Sequence, residues 1–288
     1  MKNYLILFIL SMIAWHTKAQ DTGQMRYLYG TEEIPGAKVK VESLEELDKP
    51  KLYVHKAEQD QKDLVFLVIP GGGYAGVAIN HEGHDVAKRL NDLGYSAYVL
   101  LYRIPKEETM SNKKFGPLQD AQYAIAQIRE ENPNKQVVVI GFSAGGHLAG
   151  SLSNLFEHPQ TPYLEKANLR PDYSVLCYPV LTMEEGVTHQ GSKQNLIGPE
   201  FKAEDVELFS LEKQVDETNQ PTFLMSAKDD KAVPIENSYR YQKALNSYNI
   251  PNTLFTYEEG GHGFGLINKT DSRDWFAAMM EWLQTVKK

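Results

Sequence analysis

Cysteine is nearly missing from this chain. Its 288 residues contain one, Cys177, so no intramolecular disulfide is possible. The thiol falls inside the apolar stretch Ser174–Val180, where a core position is expected. No Cys/His cluster has zinc spacing, and no metal site is expected. No run of lysine and arginine occurs either, and the formal net charge is −8. A nucleic-acid surface, which needs clustered cations, is therefore not expected. Internal repeats and low-complexity tracts are absent as well. What remains is ordinary globular composition, 42% hydrophobic and 24% charged, which suits a single α/β domain of roughly 250 residues.

Long hydrophobic runs are also missing beyond the N-terminus. There, Lys2 precedes an apolar stretch from Leu5 to Ile13, and Thr17-Lys18-Ala19 offers small residues at −3 and −1. Residues 1–19 read as a secretory signal cleaved after Ala19, and the alternative is a retained anchor. The stretch is short for a membrane span. The expectation is export to the periplasm or beyond, no stable membrane association after cleavage, and a domain formed by residues 20–288. Cleavage would remove Lys2 and Lys18 and no acid, leaving a still more acidic chain.

Along that domain, apolar runs alternate with helical patterns. Strands are predicted at Leu64–Ile69, Tyr95–Leu101, Val137–Ile140, Ser174–Val180, Thr222–Ser226 and Thr253–Tyr257. Helices are predicted at Gly83–Leu93, Leu118–Ile128, Gly146–Phe156, Ile235–Tyr248 and Ser272–Val286 from apolar residues spaced by threes and fours. Strands buried on both faces and separated by helices imply a parallel sheet with crossovers. Leu52–Lys56 adds an antiparallel strand near the start. The polar segment 181–220 interrupts the pattern, with one short helical stretch near Asp205–Phe209. It is either a partial lid over the carboxyl edge of the sheet or a solvated excursion.

One pentapeptide stands out: Gly141-Phe142-Ser143-Ala144-Gly145, between an aliphatic strand and a small-residue helix. This is Gly-x-Ser-x-Gly in the context that lifts a serine hydroxyl above a sheet. A serine needs a base to take its proton, commonly a histidine whose tautomer a carboxylate fixes. Acid and base follow such a serine in that order. Of eight histidines, only His262 lies beyond the strand-end pair Asp229-Asp230, flanked by glycines after Thr253–Tyr257. The residues alone do not choose between Asp229 and Asp230.

An ester or amide intermediate also needs oxyanion donors. Ala144 supplies one amide, and the loop Pro70-Gly71-Gly72-Gly73-Tyr74 after the first parallel strand supplies others. Tyr74 either walls the pocket or packs as an ordinary aromatic. The same loop matches a dinucleotide fingerprint, with Arg103 at the next strand end, but that reading leaves the serine, acid and histidine unexplained. His81, Glu82 and His84 suggest a pocket rim or helix cap, with metal binding as the alternative. His147 suits helix packing rather than a second base. His189, in the polar segment, is a candidate substrate contact.

Together, Pro70–Tyr74, residues 80–94, Gly141–His147, Asp229–Pro234 and Gly260–Gly263 resemble the exported bacterial α/β-hydrolase esterases grouped with acetyl-xylan and feruloyl esterases. The resemblance covers most of the chain from about Leu52. It implies the α/β-hydrolase fold, Ser143 as nucleophile, Asp230 as acid, His262 as base, and Gly72, Gly73 and Ala144 as oxyanion donors. It also implies an acylated carbohydrate or other small ester as substrate, and no cofactor. Related esterases carry a loop-bracing histidine where this chain has Pro70. Two rival functions are a peptidase of the prolyl-oligopeptidase type, for whose gating domain the chain has no room, and a non-catalytic carbohydrate-binding relative.

Overall fold

The computed structural model describes residues 23–30 and 33–287. The signal segment predicted at 1–19 lies outside the described residues. The fold is built on one eight-stranded sheet. Its strands are β1 (Gln24–Tyr27), β2 (Lys51–His55), β3 (Leu64–Ile69), β4 (Ala97–Leu101), β5 (Gln136–Phe142), β6 (Tyr173–Cys177), β7 (Thr222–Ala227) and β8 (Asn252–Tyr257). Their spatial order is β1-β2-β4-β3-β5-β6-β7-β8. β2 pairs antiparallel with both β1 and β4, and every pairing from β4 to β8 is parallel.

The reason for this sheet is visible in β3. All six of its residues are buried, and they alternate between two cores. Val65, Leu67 and Ile69 join one apolar cluster, while Leu64, Phe66 and Val68 join the other. A strand with period-two side chains and no polar face needs helices on both sides. On the first side pack α2 (Gly116–Glu131), α3 (Ser143–Asn154) and α6 (Glu236–Ser247), through residues such as Ile125, Leu148 and Tyr241. On the second pack α1 (Asp85–Asp92) and α7 (Trp275–Val286), through Val86, Leu90, Trp275 and Met279. Cys177 is fully buried in this second layer.

Several boundaries differ from the predicted ones. The strand expected to run to Val180 ends at Cys177, because Tyr178 turns the chain with φ 36°. The helix expected from Gly83 is preceded by a π-helical turn, Ile79–His84, in which the Asp85 amide bonds to the Asn80 carbonyl. The segment 181–220 holds two helices, α4 (Gln190–Ile197) and α5 (Ala203–Phe209), where one was expected. α4 carries a polar sequence with little apolar periodicity, so its pattern is weak. It is started by His189, whose ring nitrogen accepts the Ser192 amide. β1 was missed because it is a four-residue, mostly exposed edge strand.

Candidate active site

Parallel pairing brings the carboxyl ends of β3, β5, β6, β7 and β8 to one edge of the sheet, where such folds gather ligand-binding loops. Ser143 stands at the junction of β5 and α3, with φ 52°. A β-carbon at Gly145 would lie 2.3 Å from the carbonyl oxygens of Ile69 and Pro70. Only glycine lets the serine turn sit this tightly against β3. The Oγ of Ser143 is 2.8 Å from Nε2 of His262, which arrives on the loop after β8. On the other side of the ring, Nδ1 is 2.6 Å from Oδ2 of Asp230, on the loop after β7.

The two adjacent aspartates do different work. The second carboxylate oxygen of Asp230 accepts the amides of Ala232 and Val233, and its side chain is fully buried. Asp229 accepts the Gly261 amide instead, and that bond holds its carboxyl below the ordinary range. Asp230 thus faces the ring, and Asp229 secures the backbone of the histidine loop.

A cavity of about 420 Å³ opens over Ser143 and His262. Its walls include Gly72, Gly73, Ala75, Ala78, Glu82, His189 and Asn195. The glycine loop is held as a tight turn. The Gly72 carbonyl accepts the amides of Ala75 and Gly76, and the Gly71 carbonyl accepts that of Ala78. The amides of Gly72 and Gly73 therefore belong to peptides whose carbonyls are already bonded, an arrangement that polarises the N–H as a donor. Gly72 has φ 134°, and a β-carbon there would strike the Gly76 carbonyl at 2.2 Å. Ala144 occupies the first turn of α3, where helix geometry leaves an amide without an intrahelical acceptor.

Other candidates are distributed as follows. Tyr74 does not wall the cavity. It is 1% exposed, and its hydroxyl lies 2.8 Å from Nδ1 of His147. His81 lines a different groove of about 890 Å³ between α1, α7 and residues 264–269, whereas Glu82 does reach the serine cavity. His84 is buried beside His55 and Tyr53. His189 lines the cavity, and burial, followed by its proximity to His262, lowers its pKa. His147 is fully buried within α3, with Nε2 bonded to the Phe209 carbonyl. Arg103 is buried against Asp120 at 2.8 Å, so the 2′-phosphate partner required by a dinucleotide reading is already spent inside the fold.

Two residues at the site were not anticipated. Asn195 of α4 donates from its side-chain amide to the Gly73 carbonyl at 2.8 Å. Tyr178 packs edge-on against the His262 ring, with centroids 5.0 Å apart. The signal for Tyr178 was the Tyr-Pro step at Pro179, because the residue before proline avoids the helical region and often marks a break. Asn195 carried no signal, because its segment lacked clear periodicity.

The sheet, the elbow at Ser143 and the clustered loops define an α/β hydrolase. The BD-FAE family profile matches residues 51–245, and the chain belongs to that family. It is 34% identical to endo-1,4-beta-xylanase B of Butyrivibrio fibrisolvens over 83% of this chain and 38% of that protein. It is 33% identical to an acetylxylan esterase of Xylanibacter ruminicola over 68% of this chain and 40% of that one. The chain thus spans about two fifths of the length of these curated relatives. Among solved structures, an acetyl ester-xyloside bifunctional hydrolase from Caldicellulosiruptor lactoaceticus superposes with a TM-score of 0.79. The two are 33% identical, and the match covers 92% of this chain and 96% of that one. A carboxylesterase from Lactobacillus plantarum, 20% identical with a TM-score of 0.67, shares the fold over 82% of this chain and 92% of that one.

Proposed function

We propose that this protein is a serine carboxylic-ester hydrolase that removes acetyl or other small acyl groups from plant cell-wall polysaccharide or oligosaccharide. The observation that carries the reading is the continuous chain from Ser143 Oγ through the His262 ring to Asp230, at 2.8 and 2.6 Å. In this mechanism His262 takes the serine proton as Oγ attacks the ester carbonyl. Asp230 keeps the ring in the tautomer that presents Nε2 to the serine, and it stabilises the imidazolium that forms. The amides of Gly72, Gly73 and Ala144 hold the developing oxyanion. His262 then protonates the leaving alkoxide, and the acyl-enzyme is released by water activated on the same ring. The mechanism requires no metal and no organic cofactor.

The preference for an acetyl group is supported by relatives whose names specify acetyl esters, acetylxylan esterase and acetyl ester-xyloside hydrolase. The carbohydrate side is supported by the relatives that carry the names acetylxylan esterase and acetyl ester-xyloside hydrolase. Export is part of the reading and is motivated by the pattern Lys2, Leu5–Ile13, Ala19. Among the described residues, no helix is long and apolar enough to cross a membrane.

The test is acetate release from acetylated xylo-oligosaccharides by residues 20–288, with Ser143→Ala as control. The expected result is rapid release that falls by ~10³-fold or more in the variant while the fold is retained. Turnover of a simple aryl acetate without release from the oligosaccharide would reject the xylan assignment and keep the serine chemistry. Undiminished activity in Ser143→Ala would reject the mechanism.

A further inference from the structure

Glu82 is a buried carboxylate in the wall of the serine cavity, 3% exposed. The half-exposed His81 ring lies 3.7 Å from it. A negative group beside a site that must stabilise an oxyanion is a liability unless it does something else. The structure shows what it touches. Oε2 accepts the Gly71 amide at 2.8 Å, and Oε1 accepts the Tyr178 hydroxyl at 2.8 Å. Tyr178 in turn accepts the Gly265 amide at 2.9 Å, three residues beyond His262. The carbonyl of the same residue, Gly265, accepts the indole N–H of Trp275 at 3.0 Å. A β-carbon on Gly71 would stand 2.9 Å from both Glu82 Oε2 and the Ser143 β-carbon, so the carboxylate and the serine flank a single residue.

The conformations along this path are unusual. Tyr178 has φ 36°, a costly backbone for a bulky residue that persists only when its surroundings over-determine it. Glu82 projects from the π-helical turn Ile79–His84, a geometry that occurs in short pieces and often at functional sites. Burial and the neighbouring carboxylate push the Tyr178 hydroxyl well above its ordinary pKa, so it stays protonated and donates.

The geometry points to Glu82 and Tyr178 as positioning residues that form one bridge between the glycine loop, which carries the oxyanion amides, and the histidine loop, which carries His262. The bridge fixes the distance between the donors and the base. Neither residue exchanges a proton with substrate. This inference rests on the esterase reading above.

The experiment compares Glu82→Ala, Glu82→Gln, Tyr178→Phe and the Glu82→Ala/Tyr178→Phe double variant on an aryl acetate. Rates are expressed per active site, counted by a fluorophosphonate that labels Ser143. Wild-type turnover and its loss in Ser143→Ala test the underlying reading, and the bridge variants are interpreted only against that pair. The expected result is a kcat lowered ~10- to 100-fold in Glu82→Ala with KM within about threefold, because misplaced donors weaken the transition state and leave ground-state binding alone. Tyr178→Phe should lower kcat in the same way. The double variant should be no worse than the more impaired single one, since both cut one connection. Glu82→Gln, which keeps one acceptor, should recover part of the loss. Four results would overturn the bridge: kcat within twofold in Glu82→Ala, a rise in KM with kcat unchanged, multiplicative losses in the double variant, or a loss explained entirely by fewer titratable serines. If Glu82→Ala yields no folded protein, Glu82→Gln and Tyr178→Phe carry the same test, because the first keeps one acceptor on the bridge and the second removes only the hydroxyl that joins Glu82 to the Gly265 amide.

Discussion

Oδ2 of Asp230 lies 2.6 Å from Nδ1 of His262, while its neighbour Asp229 turns away to accept the Gly261 amide. Under the proposed mechanism, the neighbouring carboxylates must differ sharply in effect. Asp230→Asn should lower kcat by ~10⁴-fold, because an amide no longer selects the productive tautomer of the ring. Asp229→Asn retains an oxygen acceptor for the Gly261 amide and should stay within about tenfold of wild type. Steady-state kinetics on an aryl ester decide it, and the opposite ranking would transfer the acid role to Asp229.

Asn195 reaches from α4 to the Gly73 carbonyl, so the segment 181–220 is fastened to the glycine loop rather than floating above it. Asn195→Ala should loosen Gly73 and reduce kcat by about tenfold, with a smaller change in melting temperature. Asn195→Asp removes the donor at nearly constant shape and should be at least as harmful. If both variants matched wild type, the contact would be incidental to turnover.

His147 supplies a stability prediction with a definite sign. Its ring is fully buried, and burial, opposed by the Phe209 carbonyl, lowers its pKa from 6.5 to about 4. The folded protein resists protonation that the unfolded chain accepts. The penalty is absent above pH 6.5, grows as pH falls from 6.5 to 4, and then levels off. Its full size is about 3 kcal/mol, of which about 2 kcal/mol appears between pH 7 and 5. Urea unfolding at pH 7, 6 and 5 should therefore show a steeper decline for wild type than for His147→Gln. Parallel declines would mean that His147 does not govern this range.

Arg103 and Asp120 form a buried pair that also organises the N-terminal part of the domain. Asp120 accepts the Tyr29 hydroxyl and the Arg103 backbone amide, and Arg103 donates to the Pro35 carbonyl. Asp120→Ala would strand a buried guanidinium, and a loss of about 3–5 kcal/mol is expected from chemical denaturation. Replacing both partners with apolar residues should cost much less. Equal costs would show that the energy resides in the surrounding packing.

Much of this protein was readable one residue at a time. Strands such as Leu64–Ile69, buried on both faces, declare themselves as unbroken apolar runs, and glycine-rich loops at their ends declare where the backbone must turn sharply. The order of Ser143, the acidic pair and His262 is likewise a property of the chain. The resemblance implied Asp230 rather than Asp229, but which carboxylate faces the ring is visible only in three dimensions, because adjacent carboxylates are chemically equal until a backbone orients them. The same holds for Tyr74, whose burial against His147 depends on a helix some seventy residues away. The roles of Tyr178 and Asn195 were not legible, although Pro179 marks a break at Tyr178, because their partners, Glu82 and Gly73, are remote in the chain and reached through hydrogen bonds. Local pattern records periodicity and turn chemistry, which act over a few residues. A hydrogen bond between distant loops leaves no such period, and only the folded sheet edge brings its two ends together.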